Sequence, residues 1–262
     1  MSRQSTFSLS KWYMDCVSDG GDLCIGYAAA LRWRGLRINY SSMLLRRRNE
    51  ETSVSTSLQR IAEPAIEGHM LRWSSRPLGV EGTWEALAPP IEQTLLQSPD
   101  GSVAWNCLQP KGRAEIRFDH GEPIRGLGYA EHMTMSIPPW RLPIDELRWG
   151  RFLSKHDAMV WIEWRGAHPL SLVFRNGALI PRGTVTEQGI ATREGETILS
   201  LDEGTVLREG YLIRTVLSAI PGLTEILPVA SLRTHERKWR SRGRLCDAAN
   251  GEGWAIHEVV RF

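Results

Sequence analysis

The stretch Lys11-Trp12-Tyr13-Met14-Asp15-Cys16-Val17, followed by Ser18-Asp19-Gly20-Gly21-Asp22 and then Leu23-Cys24-Ile25-Gly26-Tyr27-Ala28-Ala29-Ala30-Leu31-Arg32-Trp33-Arg34, reads as strand, turn and strand. Large apolar and polar side chains alternate along its first arm, the period of a pleated strand. The glycines between the arms supply the positive φ that a tight hairpin needs. The small residues Gly26, Ala28, Ala29 and Ala30 in the return arm predict close packing or a cavity wall.

The same pattern continues outward. Strands are predicted over Ile38 to Arg47, Ser53 to Ile61, His69 to Ser74, Gly82 to Leu87, Ser102 to Leu108 and Ala114 to Phe118. A second strand-rich series covers Leu147 to Leu153, Met159 to Arg165, Leu170 to Phe174, Ala178 to Pro181 and Gly183 to Ala191. It continues through Glu196 to Leu201, Thr205 to Leu217, Glu225 to Arg233, Arg237 to Leu245 and Trp254 to Val260. Long amphipathic helices are absent from the pattern, and Thr215 to Ile220 is the one helical turn expected. Many short strands at close spacing argue for an all-β sandwich or barrel. Pro138-Pro139-Trp140-Arg141-Leu142-Pro143 resists a central strand and is the expected linker, giving domains over 1–140 and 141–262. No exact internal repeat is found along the chain.

With 42% hydrophobic and 24% charged residues, the composition is that of an ordinary globular protein. A net charge of +2 gives no case for a polyanion partner. The basic segment Arg233 to Arg244 is expected to present a solvated face that blunts a sheet edge. Met1 to Lys11 is polar, so no secretory leader is expected, and no run is long and apolar enough for a membrane span. Cys16, Cys24, Cys107 and Cys246 form no CxxC pair and read as reduced, mostly buried thiols of a cytoplasmic protein. The seven histidines show no metal-ligand spacing, and no phosphate-binding loop, GxSxG elbow or dinucleotide fingerprint is present. No metal, no redox cofactor and no nucleic-acid partner are therefore expected.

The chemistry concentrates in Gly126-Leu127-Gly128-Tyr129-Ala130-Glu131-His132-Met133-Thr134-Met135. On a strand, Tyr129, Glu131, Met133 and Met135 share one face, while His132 and Thr134 take the other. A carboxyl in apolar surroundings tends to keep its proton, which suits it to protonate an alkene or polarise a carbonyl. The alternative is a surface Glu131 paired with one of the many arginines. His132, on the opposite face, reads as structural. Asp15 shares a face with Tyr13 and Val17 and is a second candidate cavity carboxylate, or an anchor for an arginine.

Trp12-Tyr13-Met14-Asp15-Cys16-Val17-Ser18-Asp19-Gly20, Gly128-Tyr129-Ala130-Glu131-His132 and Gly253-Trp254-Ala255-Ile256-His257-Glu258 together resemble the carotenoid 1,2-hydratase (hydroxyneurosporene synthase) and AttH-like family. That family reads Asp where this chain has Glu131, and its hydratases continue with Asn-Trp-Gly where this chain has Met133-Thr134-Met135. The resemblance implies two lipocalin-like β-domains packed side by side, with an apolar ligand space at or between the barrels. It implies activities without metal or redox cofactor: hydration of carotenoid precursors, tocopherol cyclisation or, in related fungal cyclases, Diels–Alder closure of polyenes.

The missing Asn-Trp favours cyclisation or isomerisation of a polyene, polyketide or terpenoid over hydration, and a non-catalytic carrier is the reading from a different class. The expected catalytic residues are Glu131, Tyr129 and Asp15. Trp12, Met133, Met135, Trp140 and Trp161 are the expected substrate-binding residues. The expected partner is an apolar small molecule, with at most peripheral membrane contact. The eleven tryptophans fit either core filling or an indole-lined cavity.

Overall fold

The computed structural model describes residues 7–262 apart from 49, 61, 182, 203, 212–232 and 249–250. The chain is all-β and divides into two compact units, Met1–Arg141 and Leu142–Phe262, each a curled antiparallel sheet of the lipocalin-like type. The first unit contains β1 (Phe7–Val17), β2 (Leu23–Trp33), β3 (Leu36–Arg46), β4 (Ser53–Ser57), β5 (Ala65–Glu67), β6 (Met70–Ser75), β7 (Val80–Ala86), β8 (Ile91–Ser98), β9 (Gly101–Phe118) and β10 (Ile124–Met135). Their order across the sheet is β4-β3-β2-β1-β10-β9-β7-β6-β5, with β8 also pairing with β9.

The second unit contains β11 (Glu146–Ser154), β12 (Ala158–Arg165), β13 (Leu170–Arg175), β14 (Ala178–Leu179), β15 (Thr184–Thr186), β16 (Gly189–Ala191), β17 (Thr197–Leu201), β18 (Thr205–Tyr211), β19 (His235–Leu245) and β20 (Glu252–Arg261). Their order is β14-β13-β12-β11-β20-β19-β17-β16-β15, with β18 also pairing with β19. Among the described residues this is the first unit's topology shifted by ten strands. The fold is therefore an internal repeat, which the sequence reading missed. Its trace is short: Gly128-Tyr129-Ala130-Glu131-His132 on β10 and Gly253-Trp254-Ala255-Ile256-His257 on β20 share Gly, Ala and His at matching places.

The curl of each sheet encloses indoles lying against glycines. In the first unit Trp73 lies against Gly26, where a Cβ would come within 2.7 Å of the ring. Trp84 crosses to β1 and donates its indole N–H to the Asp15 carbonyl at 2.7 Å. These rings pack with Trp12, Met14, Cys16, Cys24, Met43 and Leu71 into one core. In the second unit Trp161 lies over Gly150, beside Phe152, Met159 and Leu199. The bare glycine backbone lets each ring approach closely, and each buried indole contributes on the order of a few kcal/mol of hydrophobic stabilisation.

Other expectations need correction. Ser102 to Leu108 and Ala114 to Phe118 are parts of one long strand, β9, because a register shift against β10 between Gln109 and Gly112 absorbs Pro110 and Lys111 without ending it, and a second shift follows between Asn106 and Gln109. Gly183 to Ala191 is a hairpin, β15 and β16, turned at Glu187-Gln188, with Gly189 (φ 139°) opening the return strand. The basic segment forms β19, which lies inside its sheet rather than at an edge. Lys238 and Glu236 on it are buried, not solvated, and Lys238 pairs with Glu258 and Glu236 while Arg208 bonds Glu236 at 2.7 Å. The expected helical turn at Thr215 to Ile220 and most of the strand at Glu225 to Arg233 lie outside the described residues. The linker prolines lead into a single 3-10 turn, Pro139–Arg141.

The shared histidine has the same surroundings in both units. His132 stacks on Trp12 (centroids 4.3 Å apart) and bonds Ser10 Oγ through Nε2 at 2.8 Å. His257 stacks on Trp239 (5.1 Å) and bonds Ser241 Oγ through Nε2 at 2.9 Å. Burial is the largest cause holding both imidazoles below their usual pKa, and the nearby Lys238 helps to bring His257 down to about 4. Because the folded pKa of His257 lies below the unfolded value of 6.5, its contribution is complete above pH 6.5 and is lost as pH falls toward 4. Stability measured by urea unfolding should therefore drop between pH 7 and pH 4.5 by roughly 2–3 kcal/mol more for the wild type than for His257→Phe. Equal acid sensitivity would show that His257 does not titrate on unfolding.

Candidate functional site

Pairing of β1 with β10 sets Tyr13 opposite Glu131 and Asp15 opposite Tyr129. All four are buried on one face of the sheet, away from the indole core. Tyr13 donates its hydroxyl to Asp15 Oδ2 at 2.9 Å, and Tyr129 donates to Glu131 Oε2 at 2.6 Å. Each phenol precedes its acid by two residues, so strand alternation alone brings the partners together. The rings of Tyr13 and Tyr129 meet edge to face with centroids 5.9 Å apart, and Tyr27 on β2 meets Tyr13 the same way at 5.4 Å. Lys11 lies 5.5 Å from the centre of the Tyr27 ring.

The third wall comes from β9. Its register shifts put three β9 residues against two of β10, twice in succession, between Asn106 and Gly112. Together the two shifts slide the register by two residues and set Trp105 opposite Met133 on the acid face, where its Nε1 donates to Glu131 Oε2 at 2.5 Å. Bulges of this kind re-aim side chains beside functional sites. Cys107 lies next to Tyr129; burial, first of all, pushes its thiol well above the usual range, and Glu131 and Asp15 push it further. Burial likewise raises the Tyr129 phenol well above 10, with Cys107 and Glu131 adding to it. Tyr129 therefore stays protonated and acts as a donor. Two donors, Tyr129 and Trp105, thus converge on Oε2. The arrangement can pass a proton to or from a bound molecule and offers ring faces to a developing cation.

Of the sequence-derived candidates, Glu131, Tyr129 and Asp15 come together here, and Met133 follows on the same face of β10, opposite Trp105. Trp12 does not join them. It points to the other face of β1, stacked on His132. Met135 is buried at the end of β10, opposite Leu9 and Val103. Trp140 packs edge to face on Phe7 and Trp33, at 5.9 and 5.1 Å. Trp161 belongs to the core of the second unit, buried against Gly150. Sequence reasoning missed Tyr13, Tyr27, Trp105 and Cys107. Tyr13-Met14-Asp15 repeats the Tyr-x-acid spacing of Tyr129-Ala130-Glu131 and could have marked Tyr13. Nothing local marks Trp105, whose placement depends on the bulges. Among the described residues no group of three or more His, Cys, Asp or Glu could hold a metal ion, and no helix is long and apolar enough to cross a membrane.

No family model matches the chain, and no curated protein does. Solved structures do share its architecture. CghA, solved alone and with Sch210972, is similar with a TM-score of 0.60 at 9% identity, over 98% of this chain and 89% of CghA. Kievitone hydratase from Nectria haematococca is similar with a TM-score of 0.50 at 10% identity, over 98% of this chain and 90% of the hydratase. At these identities the likeness defines the class of fold, two lipocalin-like β-domains in one chain.

Tyr129→Phe removes one of the two donors to Glu131 Oε2 and should lower the unfolding free energy by roughly 1–3 kcal/mol, because a buried acceptor loses its partner. A urea titration with an unchanged m-value checks this, and an unchanged midpoint would show that the phenol does not hold the carboxyl.

Proposed function

We propose that the chain is an enzyme that cyclises, isomerises or hydrates an unsaturated, largely apolar small molecule, with the Glu131 carboxyl as its acid–base group. The observation that carries this reading is the fixed Glu131 side chain, its Oε2 held by Tyr129 and Trp105 in a buried layer of phenols and indole. Such fixation is costly for a merely structural acid and useful for a group that must meet a substrate in one orientation. Two solved proteins of this fold fit the same theme by their names, one solved with the small molecule Sch210972 and one a kievitone hydratase.

In the proposed step, the Glu131 carboxyl gives a proton to an alkene carbon and the adjoining carbon becomes cationic. In a cyclisation, a second alkene closes onto that cation and the Glu131 carboxylate takes back a proton from the ring product. In a hydration, water adds instead and returns its proton to the carboxylate. Tyr129 and Trp105 hold the carboxyl through both halves. Asp15, bonded by Tyr13, places a second carboxyl on the neighbouring strand. Met133 and the rings of Tyr13 and Tyr27 shape the apolar wall. Loss of the hydratases' Asn-Trp after the motif favours the cyclase or isomerase branch.

Purified wild type and Glu131→Gln, each incubated with extract of the producing pathway and followed by mass spectrometry, test this. The wild type should convert a component that the variant converts at least about a hundredfold more slowly, the usual scale of general acid–base catalysis. An isomeric product then means cyclase or isomerase, and a gain of one water means hydratase. Equal conversion by both proteins would remove Glu131 from the chemistry. Retention of an unchanged apolar compound by both would make the protein a carrier.

A further inference from the structure

The opposite face of β1, β2 and β3 carries a second constellation, independent of Glu131. Above the packed indole core the curled sheet opens into a cavity of about 470 Å³, within the roughly 300–1,000 Å³ of small-molecule sites. Its inner wall comprises Trp12, Ala28 and Ala30, three residues that alternate onto one side of the sheet. Trp12 is 7% exposed and backed by His132, and its indole N–H has no acceptor among the described residues. Asn39 and Ser10 add polar groups.

The rim is cationic. Arg32 on β2 and Arg37 on β3 are directly paired across the two strands, and Arg60 lines the same opening. Like charges set opposite each other on neighbouring strands destabilise a sheet. Among the described residues none of these three arginines forms an ion pair or a side-chain hydrogen bond, whereas the arginines elsewhere on both sheets include many that bond to a carboxylate, such as Arg113, Arg125, Arg148 and Arg175. One acid, Glu63, lies among the described lining residues. A paired, unneutralised arginine rim over an alanine and indole wall is complementary to a molecule with an apolar body and one anionic end.

We infer that this cavity is a second small-molecule site of the protein, which takes an apolar carboxylate with its chain against Ala28, Ala30 and Trp12 and its carboxylate between Arg32 and Arg37. A carboxylate there relieves the like-charge pair and accepts guanidinium hydrogen bonds, whose planar fork matches it. The site sits across the sheet from Glu131, so it does not depend on that residue's role.

Calorimetric titration of the full chain with dodecanoate below its micelle concentration tests the inference, with dodecanol and inorganic phosphate as partial probes. The expected result is saturable one-to-one binding of dodecanoate, with both partial probes weaker by roughly tenfold or more. Arg32→Ala with Arg37→Ala, both exposed positions, should weaken dodecanoate roughly tenfold without lowering the unfolding midpoint. Arg34→Ala, which removes a neighbouring arginine that is not among the cavity's lining residues, should leave binding unchanged, and Glu63→Gln should tighten it. No saturable binding, equal binding of dodecanol, equal binding of phosphate, or indifference to loss of Arg32 and Arg37 would each overturn the assignment.

Discussion

The antiparallel pairing of β1 with β10 is the constraint on which the rest of the first unit depends. With Tyr13 opposite Glu131 and Asp15 opposite Tyr129, every side chain on these strands is committed to one of two faces. One face carries Trp12, Met14, Cys16, Ala130 and His132 into the indole core and the cavity above it. The other carries two phenols and two carboxyls. A slip of one residue would bury the acids among indoles and bring Met14 and Cys16 to the acid face. Strong packing on the core face therefore fixes the position of the polar face, and β9 completes it by bulging to deliver Trp105.

The two units show what this scaffold needs and what it does not. Topology, the glycine–indole contacts and the stacked, serine-bonded histidine occur in both. The acid does not: at the place that Glu131 holds on β10, β20 carries Ile256, and Trp254 stands where β10 has Tyr129. The retained features stabilise the sheet. The phenol–carboxyl pair is peculiar to the first unit, as expected of a group kept for chemistry. In the second unit the buried charges instead neutralise one another, through Arg208, Glu236, Lys238 and Glu258.

Much of the fold was legible because alternation is a local property. The β1–β2 hairpin, the strands near Leu147 and Met159, and the last strand lie close to where apolar periodicity and turn glycines put them. The face shared by Tyr129 and Glu131 was legible for the same reason. Features that depend on pairing partners were not. The stretch between Leu108 and Ala114 lies outside both expected strands, yet a bulge at Pro110 and Lys111 carries β9 through it. The arginines and lysine of β19 read as solvated, because the sequence does not reveal that Glu258 and Glu236 would neutralise Lys238. Trp12 and Glu131 both looked ligand-facing, and only the register shows that they face apart. The repeat escaped because indole-on-glycine packing conserves shape across strands while leaving few identities in sequence.

The central claim is that Glu131, Tyr129 and Trp105 act as one hydrogen-bonded unit built by the bulges of β9. A double-mutant cycle in urea unfolding, with Glu131→Gln, Trp105→Phe and the pair combined, tests it most directly. The account predicts a coupling free energy of roughly 0.5–3 kcal/mol, the range for residues that share a network. Losses that add within roughly 0.3–0.5 kcal/mol would contradict it, because independent residues behave that way.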